Sequence, residues 1–558
     1  MNLPKTSPRS AQLLLWIGII LAINLFGDFF FRRIDLTASG RYSLSDYTVE
    51  AMEQLSQPLM ITVYLDGDFP PNVREYQEAL RTTLLEMKQY AGGLLDFEFV
   101  DPNQNPELLA FFQSRRLAPT PVQVRISPTE TKTQYMWPLV RLHYPEREEV
   151  FVDMLQWATV LTPQGRQIDF VRAEADLEYK LMSAVRKLTG ERSGIVALLQ
   201  GHGETPVEEV PGLGAEIQSS YQLYTFDLRK VPGYEISPSI DVLVILQPTR
   251  AFSERDKYEL DQYLMRGGSI LWVLDYERVD MDMFRKQSTL TELYDLNLDD
   301  LFFRYGLKLN YDLIQDLACE KTEVFQTNVE GGTFVEKPWI FYPLVRDFPT
   351  HPIARNVDEV LLRYAASIDT VYQEGVRKGV FLQTSPRSRT IQGRQFIDLN
   401  EYLQSPPPPA LFNQGGKIAG VVAEGVFESL FQGREVPLDS AAPQPPAATF
   451  GPRNNPIAPG RLALISDGEF AQGKRLQDQR GFMPYDNKNL IMNAIDYLAG
   501  DDALTRIRSK DVVQRRLNID KVQGRVPAIR LLTLGLPLAL LLVVALLQGY
   551  LRRRREQG

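Results

Sequence analysis

The stretch "DVLVILQPTRAFSERDKYELDQYLMRGGSILWVLD", Asp241 to Asp275, decides the fold. Its aliphatic start, Ile240 to Pro248, is short, rich in Val and Ile and closed by proline, which predicts a strand. Ser253 then stands where a helix N-cap belongs, with Asp256 three residues on to return the bond. The helix that follows stops at Gly267-Gly268, where the left-handed turn is easy. "SILWVLD", Ser269 to Asp275, is a second continuous apolar run. Strands of this composition are covered on both faces. A β-α-β unit of this kind implies parallel pairing and a doubly wound α/β sheet.

The flanking sequence repeats the pattern. "SGIVALLQ" (Ser193 to Gln200) reads as a buried strand and "YQLYTFDL" as the next. "KIAGVVAEG" and "RLALISDGEF" are late strands, and "NKNLIMNAIDYLAG" is a helix with Ile491, Ile495 and Leu498 on one face. Residues 276–400 carry mixed signals. Ser405 to Pro409 is a stiff spacer, and Pro437 to Gly460, rich in Pro and Ala, reads as a mobile loop. Residues 193–505 thus form one α/β domain with insertions.

A smaller domain precedes it, at 34–171. "LMITVYL" and "LDFEFVDP" are strands around a helix that places Tyr76, Leu80, Leu84, Met87 and Ala91 at helical spacing. A short helix runs from Pro106 to Ser114. "APTPVQVRI", with Pro119 and Pro121, reads as the third strand. "PLVRLHY" and "EEVFVDM", split by Pro145-Glu146-Arg147, read as a hairpin. The order β-α-β-α-β-β resembles a thioredoxin-like domain without redox cysteines. Residues 172–192 follow as a linking helix with Leu177, Leu181, Val185 and Leu188 in one core-facing stripe.

Both ends carry candidate membrane spans. Ala11 to Phe31 provides 21 residues and Leu531 to Leu551 another 21, enough to cross a hydrocarbon layer of about 30 Å. Asn24 and Asp28 in the first, and Pro537 in the second, are permease-packing candidates, because polar groups and broken backbone in lipid face protein. A cleaved signal peptide is the alternative for the first, but the apolar run is long and no A-x-A site follows. Arg552, Arg553, Arg554 and Arg555 close the chain at 552–558 and place it in the cytoplasm, with residues 1–10 on the same side. The expected location is a bacterial inner membrane, with a large periplasmic body and a juxtamembrane segment at 506–528.

The formal charge is −9; Lys5, Arg9 and the tail Arg552–Arg555 with Glu556 contribute +5, leaving −14 on residues 10–551. So acidic a body does not suit nucleic acid. A single cysteine, Cys319, excludes an intramolecular disulfide and a cysteine zinc site; it reads as a small buried apolar residue.

Two motifs invite a chemical reading. Gly201-His202-Gly203-Glu204 follows a strand, where open α/β sheets bind ligands. His202 and Glu204 have the chemistry of a metal-ligand or acid/base pair. Metal sites take three or four ligands, however, and only His143 and His351 remain, so a sheet corner facing a ligand or partner is the expectation. Asp467 and Glu469 in "SDGEF" sit at another strand end. Two carboxylates suit calcium or glycosidic chemistry; solvated turn acids are the expectation. "GGKIAG" lacks the Ser or Thr of a P-loop and "GLGAEI" the third glycine of a dinucleotide fingerprint. No catalytic residue, metal or cofactor is assigned.

"RIDLTASGRYSLSDYTVEAMEQL", "LLQGHGE", the Asp241–Asp275 stretch, "LISDGEF" and "NKNLIMNAIDYL", in this order between two apolar ends, resemble the GldG family. That is the gliding-motility-associated auxiliary subunit of an ABC transporter in Bacteroidota. The resemblance implies partnership with a permease (GldF) and an ATPase (GldA). It also implies an α/β domain similar to one in an intraflagellar transport subunit and, distantly, to class I glutamine amidotransferases. The nucleophilic cysteine of those enzymes has no counterpart here. The leading expectation is a non-enzymatic subunit coupling transporter states to envelope partners. Capture of an envelope solute or lipid near His202 and Asp467 is the alternative, and a hydrolase using Glu204, Asp467 or Glu469 the third.

Overall fold

Apolar residues at alternate positions, and at every third and fourth, sort most of the chain into two main sheets with helices laid over them, beside smaller two- and three-stranded sheets. The computed structural model describes residues 44–500 apart from 116, 118, 126–130, 156–157, 163–164, 190–193, 232–233, 280–287, 327–332, 356, 358, 439–457 and 473–484. These residues fall within one compact unit that ends at Asp511. The two expected spans, with Asn24, Asp28, Pro537 and Arg552–Arg555, lie outside the described residues, as does most of the loop expected at 437–460. Among the described residues no helix is long and apolar enough to cross a membrane.

The first sheet is built around β1 (Leu59–Val63). Before it comes α1 (Asp46–Glu53), capped by Ser45, whose Oγ accepts the Thr48 N–H at 3.2 Å. After it come α2 (Pro71–Tyr90), β2 (Leu95–Phe99), α3 (Pro106–Ser114), β3 (Leu139–His143) and β4 (Val150–Asp153). The strand order is β2-β1-β3-β4. β1 and β2 are parallel, and the other pairs antiparallel. Tyr76, Leu80, Leu84 and Met87 of α2 are buried against Leu59, Ile61 and Val63, as the helical spacing predicts. The expected third strand is not in this sheet. Thr120–Arg125 pairs with Thr131–Met136 in a separate hairpin, and Leu139–His143 takes the place beside β1. Pro121 removes a ladder donor, which a central strand tolerates poorly.

Two helices follow, α4 (Phe170–Ala175) and α5 (Leu177–Thr189). Leu177, Leu181, Val185 and Leu188 pack into the first core, so this stripe completes that core. Polar contacts join α4 and α5 to the second sheet: Arg172 is ion-paired with Asp486, and Tyr179 Oη lies 3.3 Å from Ser220 Oγ.

The second sheet has seven strands. In chain order its elements are β5 (Ile195–Gln200), α6 (Pro211–Ser220), β6 (Gln222–Asp227), β7 (Val242–Leu246), α7 (Glu254–Met265) and β8 (Ser269–Val273). After them come α8 (Asp299–Arg304), β9 (Val376–Gln383), β10 (Ile418–Gly425), β11 (Gly460–Ile465) and α9 (Asn487–Leu498). The order is β6-β5-β7-β8-β11-β10-β9. The first five strands are parallel, and β10 and β9 are antiparallel additions. Successive residues of β7 and β8 face opposite ways. Leu243, Ile245, Ile270 and Trp272 pack under α7, while Val242, Val244, Leu271 and Val273 pack under α6 and α9. Both faces are covered, which is why these strands read as unbroken apolar runs.

α7 starts with a capping box between Ser253 and Asp256 and ends at Gly267, φ +88°. Removing one side of that box, Ser253→Ala, is expected to cost about 1 kcal/mol in denaturant unfolding; an unchanged midpoint would count against the cap. The helix is buried on every side. Lys257 lies between Glu254 and Asp300, at 2.8 and 2.7 Å, Arg255 pairs with Glu259 at 2.8 Å, and Asp261 accepts from Ser429 Oγ and Leu430 N.

Candidate functional site

The parallel strands all end on one edge, and both sequence-predicted motifs lie there. β5 runs into Gly201-His202-Gly203-Glu204. Gly201 and Gly203 have φ of +121° and +77°, a region open to glycine at little cost. A Cβ on Gly203 would run into Thr249 Oγ1. The His202 carbonyl accepts from Thr249 N and Arg250 N at 2.8 Å each, which ties the corner to the loop after β7.

His202 is 1% exposed. Its ring stacks on Phe252, centroids 3.9 Å apart and planes 12° from parallel. Nδ1 is 3.1 Å from Glu204 Oε1, and Nε2 is 3.1 Å from Asp256 Oδ2, an ion-pair distance out of line for a good hydrogen bond. The other Glu204 oxygen accepts the His202 N–H at 2.6 Å. Asp256 also accepts from Tyr234 Oη at 2.6 Å and Ser253 Oγ at 2.7 Å. Burial alone would push the imidazole down, but the adjacent Asp256 and Glu204 carboxylates outweigh it and hold the pKa at about 9. Burial would likewise raise Asp256; His202, Tyr234 and Ser253 prevail and hold it well below the usual carboxylate range. His202 is therefore an imidazolium at neutral pH. It has no lone pair to offer a metal or a proton.

Asp467 and Glu469 follow β11, two strands away from β7. They are not the solvated turn acids the sequence suggests, being 1% and 5% exposed. Asp467 accepts from Arg363 N at 2.8 Å and Glu469 N at 2.9 Å. Its neighbour Gly468 donates to Asp275 Oδ2 at 2.8 Å. Burial lifts Asp467 well above the ordinary range and Asp275 to about 6. The structure thus pairs His202 with Glu204 and brings Asp467 to Asp275. Between the two groups lies Gln247, with φ +47°; its Oε1 accepts from Thr205 Oγ1 at 3.1 Å and from Gln472 Nε2. Among the described residues no three His, Cys, Asp or Glu side chains are placed to hold a metal ion.

Sequence reasoning missed Asp256, Asp275, Gln247 and Phe252. Asp256 reads only as half of a capping box. Asp275 is visible as the polar end of "SILWVLD", but its partner lies 193 residues on. Cys319, expected to be buried, is half-buried at the start of a long strand (Cys319–Gln326), and burial raises its thiol to about 11.

The fold and its edge define an α/β protein with two main sheets, whose strand-end charges close on one another. The chain belongs to the family described as ABC-type uncharacterized transport system, whose model matches residues 195–494; it is an auxiliary component of an ABC-type transport system. A domain of unknown function, DUF7088, matches residues 38–141. Of the solved structures, the mmIFT52 N-terminal domain aligns over 55% of this chain and 97% of that one, with 13% identity and a TM-score of 0.31, too slight a likeness to carry an argument. No curated protein matches the chain.

Proposed function

We propose that the chain is a non-enzymatic auxiliary subunit of the GldG type, associated with gliding motility. Two spans hold it in the inner membrane with both termini cytoplasmic, and its partners are a permease (GldF) and a cytoplasmic ATPase (GldA). One observation carries the non-enzymatic part of this reading: the polar groups at the strand ends are turned inward. His202 sits between two carboxylates, and Asp467 is held by two backbone N–H groups. A proton-transferring centre keeps such a group within reach of its substrate. The corner instead gives a rigid face for a partner.

Other features support the finer parts of the reading. The parallel β1-α2-β2 unit followed by the antiparallel pair β3-β4 suits a thioredoxin-like domain. The doubly wound sheet suits an amidotransferase-like one, and Cys319, with its raised thiol, does not suit that family's nucleophile. In this reading ATP-driven permease states bias the posture of the body, which changes its affinity for envelope partners. Extraction in mild detergent is expected to bring the permease down with the tagged chain in fixed ratio. Quantitative separation of the two would remove the proposal.

A further inference from the structure

The opposite edge of the second sheet carries a different surface. The parallel strands begin there, β10 ends there and β9 starts there. α9 also ends there: Ser269 Oγ donates to the Leu498 carbonyl at 2.8 Å, and Arg461 Nη1 to the Tyr497 carbonyl at 2.9 Å. The described chain leaves the sheet at Gly500, beside Arg461. The apolar segment Leu531–Leu551 begins after 30 intervening residues.

Large side chains stand out on this rim. Tyr372 is 88% exposed, Phe303 58% and Val426 51%. They are neighbours through the backbone: Val371 N donates to Gly306 O at 2.9 Å, Gly306 N to Phe303 O at 3.0 Å, and Val426 N to Gly375 O at 3.1 Å. Arg377, with a largely exposed side chain, reaches Glu424 at 2.7 Å, and Glu424 accepts from Tyr497 Oη at 3.0 Å. Aromatic and aliphatic tips beside arginine are the composition of a bilayer interface, where the ring enters the headgroup layer and the guanidinium stays in water. On the same edge a cavity of about 410 Å³ is lined by Asp241, Arg266 and Arg461, among others. It offers both signs of charge, which fits a zwitterionic phospholipid headgroup better than an anionic one, as does the acidic body.

We propose that this rim, with Tyr372, Phe303 and Val426, rests on the phospholipid surface, so that the sheet stands with its strand-end corner pointing away from the membrane. The inference rests on the two-span reading above. Gly500, from which the sequence runs on to the apolar segment, lies on this edge and not on the corner edge.

The test uses the full chain in phosphatidylethanolamine-containing liposomes, with Cys319→Ser and one nitroxide label at Tyr372→Cys, Val426→Cys or Glu208→Cys. Glu208 is an exposed residue of the corner edge. Labels at 372 and 426 are expected to collide severalfold less with a water-soluble nickel chelate, and more with oxygen, than the label at 208. Equal accessibility at all three, in protein that resists alkaline washing, would overturn the proposal and leave the spans standing. Shielding from both reagents only when the permease is present would overturn it in favour of a protein partner. Release by the alkaline wash would remove the two-span reading and this one with it.

Discussion

His202→Ala is expected to destabilise the α/β domain by about 3 kcal/mol, the low end for a broken buried pair, because it leaves Glu204 buried without its cation while Asp256 keeps only the half-exposed Arg229, 3.3 Å away. The loss should appear as a lower denaturant midpoint of the full chain in detergent. The pH dependence carries the sharper signature. The imidazole sits at about 9 in the fold and near 6.5 when unfolded. Its contribution is complete below about pH 6.5 and is lost as the pH rises through about 9. In His202→Ala that slope should vanish. Adding Asp256→Asn should recover part of the loss, since one buried charge is gone. A variant as stable as the parent at about pH 6, with the slope intact, would show that the corner is not held by charge.

Asp275→Asn is expected to act in the opposite direction. Burial raises Asp275 to about 6, above the roughly 3.9 of an unfolded aspartate. The unfolded chain then releases its proton before the folded one does, so this group costs stability once the pH exceeds about 4, and the full cost is reached above about 6. The asparagine oxygen can still accept the Gly468 N–H, seen at 2.8 Å with aspartate. A gain of about 2–3 kcal/mol is expected at about pH 7.5, shrinking toward zero at about pH 4. Lower stability of the variant at the higher pH would refute the assignment. The two substitutions lie at the same edge yet should move stability in opposite senses.

The parallel core was legible because its signals are local. β7, α7 and β8 follow one another with a cap, a stop and two apolar runs, and each is where the spacing puts it. Thr120–Arg125 was misplaced because a strand's period does not name its partner; Leu139 and Thr120 both begin plausible strands, and only pairing with Thr62 and its neighbours separates them. The burial of Asp467 and Glu469 was not legible for a related reason. The groups that cover them, at Arg363 and Asp275, arrive from distant sequence. Two charged residues of α7, Lys257 and Asp261, are met by Asp300 and Ser429, which return over the helix long after it has ended. His202 was legible as a corner residue, but its charge state depends on Asp256, whose role as a cap hides its role as a counter-ion.

The course of α9 has a mechanical consequence. Its first turn sits at the strand-end edge, where Asn487 bonds Leu361, and its last turn at the other, where Arg461 holds Tyr497. Tension applied beyond Gly500 therefore pulls the helix lengthwise along the sheet. The restraints lie crosswise to that pull: Asn493 to Ile353 and Arg355, Tyr221 to Asp496, Lys488 to Glu216. They are loaded together in shear rather than peeled in succession, so a tug at the exit drags the whole sheet as one rigid piece.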